Sequence, residues 1–223
     1  MNIVAILGSP HGMKGTTGAL LTGVTSSAKA AGADVKTFLL SKMTVKPCHG
    51  CDACHRTGEC SIKDDFKTLK TTMLAVDGVI LASPNYITSV SAQMKAVFDR
   101  CCGPLHCQAM QGKYGAAVVT SGGAESDVVE KYMIGFLQSM GCWTVGSVWG
   151  EARQIMDEKA REPKLKAAAA LGARLVEAIR DKKTYPSQVA VQRAFYQRMK
   201  MLVTMRKDDW AYEYKYWKSL GRL

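Results

Sequence analysis

The feature that most narrows what this chain can fold into is an alternation of two hydrophobic periods. Short apolar runs of strand length lie at 2–8, 34–40, 78–83, 114–121 and 143–149, and helix-like runs lie between and after them at 17–32, 64–75, 92–100, 126–140 and 158–181. Runs such as NIVAILG and YGAAVVTS are almost continuously apolar, as strands covered on both faces are. Five strands alternating with five helices predict βαβ units. The resulting fold class is α/β, a doubly wound, five-stranded parallel sheet with right-handed crossovers. The stretch KKTYPSQ (182–188) reads as a boundary. Residues 1–183 then form the sheet domain, and 184–223 form a helical, aromatic C-terminal extension.

The chain has 223 residues, 47% of them hydrophobic, which suits one sizeable core. No apolar run is long enough to cross a bilayer, and the N-terminal run lacks a basic leader, so a cytoplasmic protein without membrane insertion is expected. The formal net charge of +11 attracts anions, among them nucleotide cofactors, acidic redox partners and nucleic acid, without choosing between them. From Thr184 onward eight basic residues face three acidic ones. Trp210, Tyr212, Tyr214, Tyr216 and Trp217 crowd the same segment, and aromatics at this density are seldom left exposed on a monomer. The extension is expected either to pack on its own domain or, the preferred reading, to serve as the arm of a homodimer or homotetramer. No nucleic-acid-binding fold accompanies it.

In an open α/β sheet, ligands sit beyond the carboxyl ends of the strands. The loop after the first strand, GSPHGMKGTTG, offers Ser9, Thr16 and Thr17 hydroxyls, glycines at 8, 12 and 15, and a helix N-terminus, which together have the chemistry of a phosphate cradle. It is neither a Walker loop nor a dinucleotide fingerprint. A polar turn with a Ser/Thr helix cap is the plainer reading of the same residues. After the third strand, SPNYITS presents Pro84, Asn85, Tyr86, Thr88 and Ser89; after the fourth, TSGG presents Ser121, Gly122 and Gly123. Three such loops on one rim suggest an elongated ligand with a phosphate at one end.

The three motifs GSP…GTT, SPNYITSVSAQMKAVFDR and TSGG resemble those of the flavodoxin-like NAD(P)H-dependent FMN reductase family, over about residues 1–180. The resemblance implies non-covalent FMN. It places the phosphate against Ser9, Pro10, His11, Lys14, Gly15, Thr16 and Thr17. It places the isoalloxazine against Pro84, Asn85, Tyr86, Ile87, Thr88, Ser89, Ser121, Gly122 and Gly123. His11 stands where many relatives carry arginine, and Lys14 is the alternative cation. No side chain is required as an acid or base, so the site residues are expected to bind rather than catalyse.

CHGCDACHRTGEC (48–60) sets Cys48, Cys51, Cys54 and Cys60 at gaps of two, two and five. A reducing compartment argues against disulfides. In a helical turn Cys48, Cys51 and Cys54 would share one side. Four thiolates suit a cubane cluster or zinc, and metal-free thiols also remain open. The spacing resembles the iron–sulfur flavoprotein branch of the same family, which implies that these four cysteines ligate a [4Fe–4S] cluster. His49 and His55 read as solvated loop residues. Cys101, Cys102 and Cys107, near His106, read as small buried hydrophobes or bystander thiols, and Cys142 as core.

The expected function is an FMN-dependent oxidoreductase that transfers electrons between a donor and an acceptor through the cluster. The donor or acceptor would be a small molecule, with NAD(P)H a possible donor, or a ferredoxin-like protein. Alternatives are a cluster-free NAD(P)H-dependent FMN, quinone or nitro reductase, a non-enzymatic carrier for ferredoxin-like partners, and a zinc-stabilised binding module.

Overall fold

The computed structural model describes residues 1–123 and 126–223. Five parallel strands, β1 (Asn2–Leu7), β2 (Asp34–Leu39), β3 (Gly78–Pro84), β4 (Tyr114–Ser121) and β5 (Trp143–Glu151), form one sheet in the order β2-β1-β3-β4-β5. This is the flavodoxin-like doubly wound order, with its switch point between β1 and β3. The connecting helices are α1 (Thr16–Ala30), α2 (Ala53–Thr57), α3 (Phe66–Ala75), α4 (Ala92–Asp99), α5 (Cys102–His106), α6 (Ser126–Ser139), α7 (Ala152–Met156) and α8 (Glu158–Arg180). The extension folds as α9 (Pro186–Met205) and α10 (Ala211–Ser219). Pro186 opens α9 at its first turn, where a missing N–H costs nothing, so the expected boundary stretch already contains the start of a helix.

The strands sort their side chains alternately to two cores. Ile3, Ala5, Leu7, Ile80, Ala82, Ala116 and Val118 meet Leu21, Val24, Leu171 and Leu175 from α1 and α8. Val4, Ile6, Val79, Leu81, Ala117 and Val119 meet Phe66, Leu69, Met94, Val97 and Met133 from α3, α4 and α6. Both faces are thus sealed, and polar chemistry is confined to the sheet's ends. Helices α1 and α8 approach so closely that a Cβ on Gly172 would lie 2.1 Å from the Val24 carbonyl oxygen, a place only glycine fits.

The extension docks on its own domain. Gln188 bonds both the N–H and the C=O of Thr144, at 3.0 and 2.7 Å, so its amide takes the place of a neighbour along edge strand β5. Trp217 is fully buried with Met199 and Val203, and its indole N–H donates to the His106 carbonyl at 3.0 Å.

The cysteine loop lies between β2 and α3 and is held by one buried ion pair. Arg100, at the end of α4, donates to Asp64 Oδ2 at 2.6 Å, to the carbonyls of Lys46 and Ile62, and to Cys60 Sγ at 3.3 Å. Burial pushes the Asp64 carboxyl up, but hydrogen bonds from Arg100 and from the N–H groups of Lys46 and Phe66 outweigh it and hold the group below its ordinary value. The two side chains are 0% and 2% exposed. Arg100→Met would strand the carboxylate in the interior. It is expected to lower unfolding stability by about 3–5 kcal/mol, read from the denaturant midpoint at constant m-value. An unchanged midpoint would mean that this pair does not hold the loop.

Candidate functional site

The strand-end rim is assembled by hydrogen bonds between its three loops. Ser91 Oγ, from the loop after β3, donates to the Gly8 carbonyl at 2.6 Å. Asn85 N–H donates to the Thr120 carbonyl at 2.6 Å, and the Thr17 and Thr120 hydroxyls meet at 2.6 Å. The segments predicted to share a ligand therefore do meet. Ser9, Thr17, Pro84 and Ser121 form the buried floor, Gly15, Thr16, Asn85 and Ser89 are half-buried, and Pro10, His11, Lys14, Tyr86, Ile87, Thr88, Gly122 and Gly123 are exposed around it.

Two local features of this rim are of a kind that suits a ligand. The N-cap of α1 is Gly15, and no side chain caps the helix. Its first N–H groups face the loop beside the Ser9 and Thr16 hydroxyls, a donor set that suits a phosphate. The turn Tyr86–Ser89 closes on itself through reciprocal backbone hydrogen bonds of 2.8 and 3.2 Å, with Ile87 and Thr88 both at positive φ, 50° and 58°. Two β-branched residues in the left-handed region cost on the order of 1–3 kcal/mol each. Ile87 is also 98% exposed. Strain and an uncovered apolar side chain coincide at one loop tip.

The second site is the cysteine loop. Cys48, Cys51, Cys54 and Cys60 are all free and all line one cavity of about 130 Å³, together with His55, Arg100 and Cys102. The expected shared helical turn is not formed: α2 begins only at Ala53, and Cys48 and Cys51 lie in irregular chain before it. Asp52, at φ 56°, turns the backbone between them and the helix. Donors already face several sulfurs. Arg100 approaches Cys60, the Ser61 hydroxyl lies 3.1 Å from Cys51 Sγ and holds that thiol below its ordinary range, and Gly50 N–H donates to Cys48 Sγ at 3.4 Å. Burial, with the nearby Cys102, pushes Cys54 up to about 11. Thiolates about 2.3 Å from a single tetrahedral zinc would stand roughly 3.8 Å apart. The four loop sulfurs are not gathered so tightly. Among the described residues, the group whose donor atoms lie within 4.8 Å of one another is instead His55, Cys102 and His106. The loop leaves β2 at the rim, but the cysteine cavity forms at the far end of α4. Ser91 at the start of α4 belongs to the rim and Asp99 at its end to the cavity, about 12 Å of helix apart.

His55 corrects the expectation of a solvated residue, for it is 6% exposed. Its Nδ1 is paired with Glu213, which is fully buried on the inner face of α10. His49 is exposed, as expected. Cys102 is no bystander. Its sulfur lies 3.8 Å from His55 Nε2 and 3.7 Å from His106 Nε2. The two imidazoles, His106 first, pull its thiol down to about 6, and its sulfur with Glu213 lifts His55 to about 10. Burial pushes Glu213 up, but both histidines outweigh it and keep the carboxylate ionised. Cys101, Cys107 and Cys142 are buried as expected, and burial pushes each up to about 12. Glu213 was missed because Trp210, Tyr212, Tyr214 and Tyr216 stand at every second position around it and obscure the helical stripe. On α10 the buried residues are Glu213 and Trp217, with Trp210 one turn before: a helical stripe carrying a carboxylate.

Residues 1–154 match the family model described as NADPH-dependent FMN reductase. An iron–sulfur flavoprotein of Archaeoglobus fulgidus is 32% identical over 225 residues, covering 99% of both chains. A second protein of that name from the same organism is 30% identical over 196 residues, covering 79% of this chain and 94% of its own. Among solved structures, an NAD(P)H:quinone oxidoreductase from Methanothermobacter marburgensis superposes with a TM-score of 0.63 at 17% identity, covering 78% of this chain and 96% of that one, a likeness of fold. Fold order, strand-end motifs and full-length relatives agree, and the chain belongs to the NADPH-dependent FMN reductase family, in its iron–sulfur flavoprotein branch.

Proposed function

We propose that this protein is an FMN-dependent oxidoreductase that moves electrons between a donor and an acceptor, with FMN on the strand-end rim and a [4Fe–4S] cluster in the four-cysteine cavity. The observation that carries the reading is the rim itself, where three hydrogen-bonded loops surround an uncapped helix N-terminus and a strained, apolar-tipped turn. When bound, FMN supplies both hydride and single-electron exchange, and a cluster supplies single-electron exchange alone.

The chain's own residues bind, orient and exclude water. The α1 N-terminus with Ser9, Thr16 and Thr17 holds the phosphate, helped by His11 or Lys14. Pro84 to Ser89, Ile87 among them, and Ser121 to Gly123 would hold the ring. The cysteine cavity fits a four-iron group better than a single ion, because a larger core holds its thiolates farther apart. Arg100 would stay as a fixed positive charge beside Cys60. NAD(P)H, another small molecule or a ferredoxin-like protein serves as the partner in exchange. One observation favours the cluster-free NAD(P)H-dependent reductase as the alternative: the loop closes on its own hydrogen bonds, Cys51 to Ser61 and Arg100 to Cys60.

Residues 1–183 form the FMN-binding domain in this reading, and 184–223 an extension with two faces. Its inner face is consumed by docking. Its outer face exposes Val191, Met201 and Met205, and supports assembly into a homodimer or homotetramer. Because truncation would unseat Trp217 and Glu213, the suitable variant is Val191→Glu with Met205→Glu. It is expected to reduce the mass of the assembly by light scattering, and a wild type that is already a monomer would refute the arm.

Flavin released by heat is expected to be FMN and not FAD. Ile87→Asn relieves left-handed strain and should stabilise the flavin-free chain by about 1 kcal/mol while weakening FMN retention. If flavin titration gives equal affinities for the two proteins, Ile87 does not touch the ring. Protein prepared without oxygen is expected to hold about four iron and four sulfide per chain. Cys54→Ala should lose that iron and keep FMN. Full FMN with no iron in the wild type would leave the cluster-free reductase as the function.

A further inference from the structure

A second group of metal-ligand side chains shares a wall with the cysteine cavity through His55 and Cys102, and contains none of the four loop cysteines. His55 comes from α2, Cys102 and His106 from the two ends of α5, and Glu213 from α10. Both imidazoles turn Nε2 toward one sulfur, at 3.8 and 3.7 Å. Both turn Nδ1 toward one carboxylate oxygen, Glu213 Oε1, His55 in a hydrogen bond and His106 at 3.8 Å. Trp210 stacks on both rings, at 4.9 and 4.2 Å between centroids, and keeps them within 18° of parallel. His106 Nδ1 and Glu213 Oε2 are buried without a hydrogen-bond partner, so the group is not a closed polar network.

We propose that His55, Cys102 and His106 bind one divalent transition-metal ion of the zinc type, with Glu213 orienting both histidines from behind. The spacing suits it. Bonds of about 2.05 Å to nitrogen and 2.3 Å to sulfur at a tetrahedral angle set nitrogen and sulfur roughly 3.6 Å apart. The Cys102 sulfur can accept from both imidazoles, and the same three atoms are placed to take one metal ion in place of those protons. The donor set selects the ion, since one thiolate with two imidazoles suits zinc, cobalt or ferrous iron and excludes magnesium and calcium. Carboxylate behind imidazole is the arrangement that fixes the ligating nitrogen. His55 and Cys102 line the cysteine cavity, so the fourth position opens there. None of the three ligands belongs to the four-cysteine set. Because Glu213 and Trp210 arrive with the extension, binding also fastens α10 to the domain.

The test uses the full-length chain carrying Cys48→Ser, Cys51→Ser, Cys54→Ser and Cys60→Ser, which removes the competing loop thiols, stripped of metal and titrated with Co²⁺ alone. One equivalent is expected to bind with a thiolate-to-cobalt charge-transfer band and the intense visible bands of tetrahedral cobalt. Adding Cys102→Ala should abolish the charge-transfer band, His106→Gln should weaken binding at least 100-fold, and Glu213→Gln should weaken it about 10- to 100-fold. No thiolate band in the parent, or the same band and affinity after Cys102→Ala, overturns the proposal. If the added substitutions prevent folding, alkylation of Cys102 in the parent decides, mapped by peptide mass with and without Zn²⁺. Protection by Zn²⁺ supports the site and equal labelling refutes it.

Discussion

Sealing both faces of a parallel sheet is the constraint on which everything else here rests. Once α1 and α8 cover one face and α3, α4 and α6 the other, the middle of the central strands is left to apolar packing. Function is driven to the ends, where backbone groups leave the ladder and need new partners. The rim loops meet that need mutually, Ser91 bonding Gly8 and Asn85 bonding Thr120. What they leave over, the uncapped start of α1 and the strained Ile87–Thr88 turn, is what a ligand can use.

Helix α4 ties the two sites mechanically. Its N-cap Ser91 is fixed to the rim, and Arg100 just past its end is fixed to Asp64 and Cys60. A buried guanidinium pinned by one carboxylate, two carbonyls and one sulfur cannot shift without leaving charge unpaired in the interior. The cysteine loop therefore has a rigid back wall although Cys48 and Cys51 are exposed.

A different economy governs the His55–Cys102–His106–Glu213 group. Here an acidic residue is carried into a fully buried position on the aromatic face of α10, where two histidines compensate it. Burying an ionised carboxylate is costly unless it is paired, so the docking of the extension and the state of these histidines are one problem. The extension walls this His55–Cys102–His106 group through Trp210 and Glu213, whatever its outer face does in assembly.

The strands, helices and sheet class were legible from sequence because burial on both faces writes itself locally, as continuous apolar runs of strand length between helical ones. The rim loops were legible for a related reason: their glycines, prolines and hydroxyls stand directly after those runs. The four cysteines were visible as a spacing, but the shared helical turn was not formed, since Asp52 in a left-handed conformation breaks the chain between Cys51 and α2. That cysteine cavity lies at the far end of α4 was a matter of packing, set by where Arg100 could find Asp64. His55, Cys102 and Glu213 were not legible as a group at all. They stand 47 and 158 positions apart along the chain, measured from His55, and nothing near any one of them announces the others. Local periodicity determined the fold, because burial acts residue by residue along each element. Tertiary docking alone decided the buried histidine site, because its ligands are neighbours only after α10 has closed over α2 and α5.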